Sequence, residues 1–217
     1  MPSEELLSGH AGYLDSDIRV PPGLAYSIAP EPQGVLLTGC TGFLGIFLLA
    51  ELLKKTAATV YVLVRAEDYM DGMRRVEQNA AQYGLSLALG RCVIVLGSLA
   101  KASLGIEPSI YKMLSHQVDA IWHCGARNDH VMSYAKLHAS NVYGTVEVLR
   151  FAVKCKLKPV HFISSVIVGL GASPGPAGVF NEASPLPSAA QMLDPRLAAV
   201  GGLSGYAQSK WVADNLC

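Results

Sequence analysis

The chain has 217 residues, with 17 basic and 17 acidic side chains and a formal net charge of zero. No basic stripe is present, which argues against nucleic acid or an anionic membrane as its main partner. Hydrophobic residues make up 51% and the mean hydropathy is +0.31, consistent with a buried parallel sheet or with apolar faces that a further segment covers.

Residues 1–33 are polar and carry Pro21, Pro22, Pro30 and Pro32, which reads as a leader or linker draped on the surface. An alternation follows, taken as one domain over 34–217. "GVLLTG" (34–39) is a short buried strand, and "GFLGIFLLAELLKKT" (42–56) an amphipathic helix with lysines at its C-terminal end, where they favour the helix dipole. "TVYVLVR" and "RCVIVLG" are the second and third strands. A helix over "YMDGMRRVEQNAAQYG" lies between them, and a short one over "PSIYKMLSHQ" follows. "VDAIWHCG" is a fourth strand, "SYAKLHASNVYGTVEVLRFAVKCK" a long helix, and "PVHFISSVIV" a fifth strand. A loop rich in Gly, Pro and Ser fills 169–190, and a helix over "YAQSKWVADN" closes the chain. Apolar strands alternating with helices predict an α/β fold, a doubly wound parallel sheet of Rossmann-like type.

Cys40, Cys92, Cys124, Cys155 and Cys217 are odd in number and show no C-x-x-C spacing, so free thiols are favoured over a zinc site or a disulfide framework. His116, His123, His130, His138 and His161 are scattered and form no ligand set, so no metal is expected. "MPSEELLSGH" lacks the apolar core of a signal peptide, and "FLGIFLLAELL", broken by Glu51, is too short to span a bilayer. A soluble, cytoplasmic protein is the expectation.

"TGCTGFLG" (38–45) stands where the first strand turns into the first helix of the alternation, with Gly39, Gly42 and Gly45 spaced G-x-x-G-x-x-G. Gly39 permits a tight turn, Gly42 lets backbone approach a pyrophosphate, and Gly45 lets helix and strand pack closely. Amides at the helix N-terminus then supply donors to phosphates. An NAD site would place an acid at the end of the second strand; this chain has Arg65 there, suited to the 2′-phosphate of NADP(H). Arg75, one helix later, is placed to close on the same phosphate. The competing reading for both arginines is a solvated charge, with Glu67 and Asp68 close enough to engage Arg65.

Tyr206 and Lys210 stand four apart, on one face of the closing helix. With Ser164 and Ser165 at the end of the fifth strand they make a hydroxyl, a phenol and an ammonium. In an open parallel sheet the ligand lies outside the carboxyl ends of the strands. Here the chain resembles the extended short-chain dehydrogenase/reductase superfamily. With "LDSDIR", "VLLTGCTGFLG", "VYVLVRAED", "DAIWHCGARNDHV", "YAKLHASNVYGTVEVLRFA" and "GGLSGYAQSKWVADNL", it resembles the terminal thioester reductase domains of nonribosomal peptide and polyketide synthases, relatives of carboxylic acid and aminoadipate reductases.

That resemblance covers about residues 14–217 and implies NADPH-dependent release of an acyl or peptidyl thioester, held on the phosphopantetheine arm of a carrier protein, as an aldehyde or, after a second round, an alcohol. It implies pyrophosphate contacts from Thr41, Gly42, Phe43 and Leu44, and 2′-phosphate contacts from Arg65 and Arg75. Ser98 and Leu99 fall near the adenine, where the family's Gly-Asp-Leu is here Gly97-Ser98-Leu99. Cys124, Gly125 and Ala126 line the cofactor, and Asn141 is an active-site helper. Catalysis falls to Ser165, Tyr206 and Lys210, with a backbone role for Ser164; an alignment on Gly169 exchanges the two serines. The family continues beyond this chain with a substrate-binding region, so the expectation is a cofactor domain that binds NADP(H) but turns over poorly. Two alternatives remain: another extended short-chain enzyme of the sugar-nucleotide epimerase or dehydratase type, and a non-catalytic NADP-binding module.

Overall fold

A computed structural model describes residues 2–20, 22, 31–169, 181, 184–194 and 204–217. Chain contacts divide it into two compact units: the described residues of Met1–Asp15, Arg127–Val146 and Ser164–Cys217 form one, and those of Ser16–Ala126 and Glu147–Ile163 the other.

The second unit holds the sheet. Strands β1 (Gly34–Thr38), β2 (Thr59–Val64), β3 (Cys92–Leu96), β4 (Ala120–His123) and β5 (Val160–Phe162) are all parallel, in the order β3-β2-β1-β4-β5. Strand order reverses between β1 and β4, which makes the gap beyond their carboxyl ends the switch point where such sheets bind ligands. Residues alternate between its two faces. Val35, Leu37, Val60 and Val62 pack with Ile46, Leu49 and Leu53 of α2 (Phe43–Lys55) and with Val76 and Ala80 of α3 (Tyr69–Gln82). Leu36, Leu63, Val95 and Ile121 pack on the other face with Leu114 of α4 (Pro108–Gln117) and with Val148 and Phe151 of α6 (Gly144–Ala152). Both faces are therefore buried, as the near-continuous apolar strands require.

The first unit is helical. Residues 4–11, read from sequence as part of a polar leader, form α1 (Glu4–Ala11): Ser3 caps the amide of Leu6, Glu4 and Glu5 stand in the first turn, and Leu7 is wholly buried. Burial of one leucine contributes about 2 kcal/mol, enough to hold a short helix that propensity alone would not. The helix predicted over 133–156 is α5 (Tyr134–His138), one π-turn (Ala139–Tyr143) and α6, ending at Ala152. Its end is closed by Lys158, whose ammonium donates to the carbonyls of Phe151, Lys154 and Lys156. The fifth strand, predicted over 159–168, stops at Phe162. Ser165 instead captures the turn Val166–Gly169, its carbonyl accepting from Val168 and its hydroxyl from Ile167. The predicted loop 169–190 lies largely outside the described residues. Beyond it come α7 (Ala189–Met192), with a capping box from Ser188 and Gln191, and α8 (Gly205–Leu216). No helix among the described residues is long and apolar enough to cross a membrane.

Candidate functional site

At the switch point, Gly39 has φ 83, and a Cβ there would lie 2.7 Å from the Cα of Gly125. A Cβ at Gly45 would lie 2.1 Å from the Gly39 carbonyl oxygen, so the first turn of α2 presses directly onto the glycine turn. Only glycine fits either position. Thr41, Gly42, Phe43 and Leu44 are exposed at the head of α2, whose N-cap, Gly42, offers no side chain to its first amides. These uncapped donors and the helix dipole suit an anion. Cys40, beside them, is wholly buried, and desolvation pushes its thiol up to about 12, so it stays protonated and inert.

The floor is fixed by side chains that sequence reading passed over. Thr38 Oγ1 shares a 2.7 Å hydrogen bond with His123 Nδ1 across β1 and β4 and accepts from the Gly125 amide at 3.0 Å. Asn79, on α3, donates to the carbonyls of Cys40 and Gly42 at 3.1 and 3.2 Å. With two carbonyls of the turn turned toward Asn79, the amides of the helix head remain for a ligand. Thr38 opens the glycine stretch "TGCTGFLG" but is not one of its glycines, and the one signal for Asn79 was an amide one helical turn beyond Arg75 on the same face.

Arg65 is exposed at the end of β2, and Arg75 donates to its carbonyl oxygen. Asp68 is occupied as the N-cap of α3, accepting from Asp71, and among the described residues neither it nor Glu67 forms an ion pair with Arg65. After β3, Ser98 Oγ accepts from Ala100, and Leu99 Cδ1 would be 2.8 Å from a Cβ at Gly125. Cys124 is half-buried, Gly125 buried and Ala126 exposed. The glycine turn, Arg65, Ser98, Leu99 and Cys124–Ala126 thus lie at the carboxyl ends of the strands of one unit, and Arg75, from α3, reaches them through the Arg65 carbonyl.

The helical unit carries the remaining candidates. On α8, Tyr206 is half-buried and Lys210 is 3% exposed. A Cβ at Gly205 would meet the Tyr134 amide nitrogen at 2.3 Å and the Met132 carbonyl oxygen at 2.4 Å, so α8 begins in direct backbone contact with the start of α5. The Tyr206 ring meets that of His130 edge-on, centroids 5.0 Å apart. Asn141 is buried in the π-turn with every amide valence used. Its Oδ1 accepts from the Arg127 amide at 2.7 Å and from Ser140. Its Nδ2 donates to the Arg127 carbonyl at 3.1 Å and to Ser209 Oγ at 2.9 Å. Ser209 donates in turn to the Tyr206 carbonyl at 2.8 Å. The turn after β5 packs on α8 as well. Among the described residues Ser165 Oγ only accepts, from Ile167 at 3.4 Å, so within them its proton remains to be given. Ser164 Oγ is sealed from solvent with no hydrogen-bond partner among the described residues, as is Gln208 Nε2. Since both serines lie past the end of β5, the rule that adjacent strand residues face opposite ways does not choose between them. No cluster of histidines, cysteines or acids among the described residues has metal-binding geometry.

A family model of NAD-binding type, described as male sterility protein, matches residues 37–217. A linear gramicidin synthase of Brevibacillus parabrevis is 38% identical over 186 residues, 85% of this chain and 4% of that protein. Aldehyde reductase lnaA of Aspergillus flavus is 36% identical over 191 residues, 84% of this chain and 17% of that protein. The terminal R domain from the myxalamid PKS-NRPS biosynthetic pathway superposes with a TM-score of 0.86 at 36% identity, over 98% of this chain and 51% of that one. The chain thus spans about half of that solved domain and a small share of either curated relative.

Proposed function

The chain belongs to the NAD-binding family described as male sterility protein, and from that premise we propose that it holds NADP(H) and supplies Ser165, Tyr206 and Lys210 to the reductive release of a thioester. The substrate is an acyl or peptidyl chain on the phosphopantetheine arm of a carrier protein, and the product an aldehyde. Support for the reaction class comes from relatives named as an aldehyde reductase and as the terminal R domain of a PKS-NRPS pathway.

The observation that carries the reading is the glycine turn. A Cβ at Gly39 or Gly45 would fill the cradle, and the head of α2 offers amides that no side chain caps. Those residues fit a dinucleotide pyrophosphate. Thr41, Gly42, Phe43 and Leu44 would hold it, Arg65 and Arg75 would hold the 2′-phosphate, and Ser98, Leu99 and Cys124–Ala126 would frame the rest. When bound, NADPH supplies the hydride that the thioester carbonyl carbon takes up. Tyr206 Oη gives a proton to the carbonyl oxygen as negative charge grows there, and Ser165 Oγ gives a second hydrogen bond. An unperturbed phenol has a pKa of about 10; the Lys210 ammonium, one turn on, favours its ionised form and eases that transfer. Asn141 and Ser209 hold the turn of α8 that carries both groups. Loss of the thiol from the resulting hemithioacetal frees the carrier arm and leaves the aldehyde.

The test is a titration of the chain with NADPH and NADH, followed by turnover of an acyl-phosphopantetheine thioester. The expectation is tighter binding of NADPH, a preference that Arg65→Ala removes, and slow turnover that Tyr206→Phe abolishes. Equal affinities sink the choice of NADP(H), binding of neither sinks the dinucleotide reading, and turnover indifferent to Tyr206→Phe sinks the catalytic assignment.

A further inference from the structure

The segment after β3 turns left-handed at three successive residues. Ser103 lies at φ 50, ψ 34, Leu104 at φ 57, ψ 18, and Gly105 at φ 62. Only the last is a glycine, and side chains resist this region of backbone space. Leu104 is held by burial, at 0% exposure among Leu36, Leu63 and Val95. Ser103 is held by a charge: its amide donates at 2.6 Å to Oε2 of Glu147, a carboxylate on α6 that is 2% exposed. The other oxygen of Glu147 accepts from Arg150, whose Nε reaches Asp17 Oδ2 at 2.7 Å. Arg150 holds the Asp17 carboxyl below its usual range, and Tyr111 is pushed up to about 12, first by burial and then by the Glu147 charge. A buried carboxylate is tolerated only with its partners in place, so the arrangement is tightly specified.

The left-handed turn fixes what precedes it. The Leu104 carbonyl accepts from the Ser98 amide at 2.6 Å, and the next residue, Leu99, packs on Gly125, which packs on Gly39. An unbroken run of contacts thus leads from Glu147 to the glycine turn inside one unit. Nothing in the reaction proposed above uses Glu147, Arg150 or Asp17.

We propose that Glu147 is a positioning residue for dinucleotide binding: its carboxylate holds the left-handed turn that sets Ser98 and Leu99 against the cofactor floor, and Arg150 links that loop to Asp17 in the "LDSDIR" segment. The inference rests on the dinucleotide reading. It gives the upstream "LDSDIR" segment, quoted above only for the family resemblance, a route to cofactor affinity.

The experiment measures NADPH affinity of the full chain by titration. Glu147→Ala removes a charged acceptor from the part-buried amide of Ser103 and should raise Kd about tenfold or more. Adding Ser103→Gly, which adopts the turn without help, should restore at least about half of that loss, whereas a merely structural role for Glu147 would leave it unrestored. Asp17→Asn, at an exposed pair, should raise Kd about twofold. Should Glu147→Ala fail to fold, Glu147→Gln keeps the volume and an acceptor but loses the charge, and should weaken binding about threefold. Wild-type affinity in the Glu147 variants, or no rescue by Ser103→Gly, overturns the positioning role; wild-type affinity in Asp17→Asn overturns the link to the upstream segment. A wild-type chain that binds neither dinucleotide brings down the functional reading and this inference together, while one that binds NADPH beside an indifferent Glu147→Ala leaves that reading standing.

Discussion

The side-chain amide of Asn79 donates to the main-chain oxygen of Cys40 at 3.1 Å, and the same nitrogen reaches Gly42 at 3.2 Å. One residue of α3 therefore holds the glycine turn by two of its carbonyls. Each of these two hydrogen bonds contributes about 1 kcal/mol net, so Asn79→Ala should weaken NADPH binding about tenfold or more. Titration checks this, with thermal unfolding alongside. The partly exposed site should lower stability by no more than about 1–2 kcal/mol. Unchanged affinity would show that the turn holds its shape without Asn79.

Asn141 binds the Arg127 amide and carbonyl together and passes a third hydrogen bond to Ser209. Asn141→Leu keeps the volume but strands those groups in a buried place. The expected loss is about 2–3 kcal/mol, read from denaturant unfolding. Ser209→Ala should cost less, about 1 kcal/mol, and should lower kcat more than it alters the Kd for NADPH, because it frees the carbonyl of Tyr206 and not the glycine turn. Equal effects of the two variants on stability would contradict this ordering.

Among the described residues Ser165 Oγ gives no hydrogen bond, while Ser164 Oγ is sealed and has no partner. Ser165→Ala should therefore reduce kcat about a hundredfold or more, the usual effect of losing an oxyanion donor. Ser164→Ala removes an unsatisfied hydroxyl and should leave kcat within about threefold and stability unchanged or slightly raised. The reverse pattern in steady-state kinetics assigns the donor to Ser164.

His138 shares a cluster with His10 and Tyr134, in which His10 Nδ1 and the Tyr134 hydroxyl are 2.7 Å apart and the two imidazole centroids 4.6 Å apart. Burial, and then the neighbouring His10, hold the pKa of His138 below its ordinary 6.5. Its neutral form is the one the fold accepts, so the stability it contributes is complete above that value. It falls as acid protonates the unfolded chain first, until the folded value is passed. Melting temperature should start to drop as pH falls below about 7.5 and keep dropping through the ordinary imidazole value and below, and the drop should be smaller in His138→Gln. Parallel melting curves for the two proteins would remove His138 as the cause.

Much of the fold was legible because its signals are local. Five apolar runs alternating with helical ones predicted the parallel sheet, and the expected family resemblance is borne out by the match over residues 37–217. Gly39 and Gly45 were readable because no other residue fits there. Most of the misses originate in contacts between residues far apart in sequence. Asn79 is 39 residues from Cys40, and Ser103 is 44 from Glu147. Gly205 entered only within the quoted segment "GGLSGYAQSKWVADNL", since its need for bare backbone arises from Met132 and Tyr134. The fifth strand was overextended because "SSVIV" has strand composition, whereas the Ser165 hydroxyl bonds its own turn.

Gly205 carries no reactive atom, yet it decides how near α8 can come to the segment before α5. A single added methyl there would meet rigid main chain, so the helix itself would have to shift, taking the neighbouring phenol of Tyr206 with it. Gly205 is therefore a fixed pivot for α8, and the buried residues that follow it, from Ala207 to Ala213, leave the helix little room to reshape around that point.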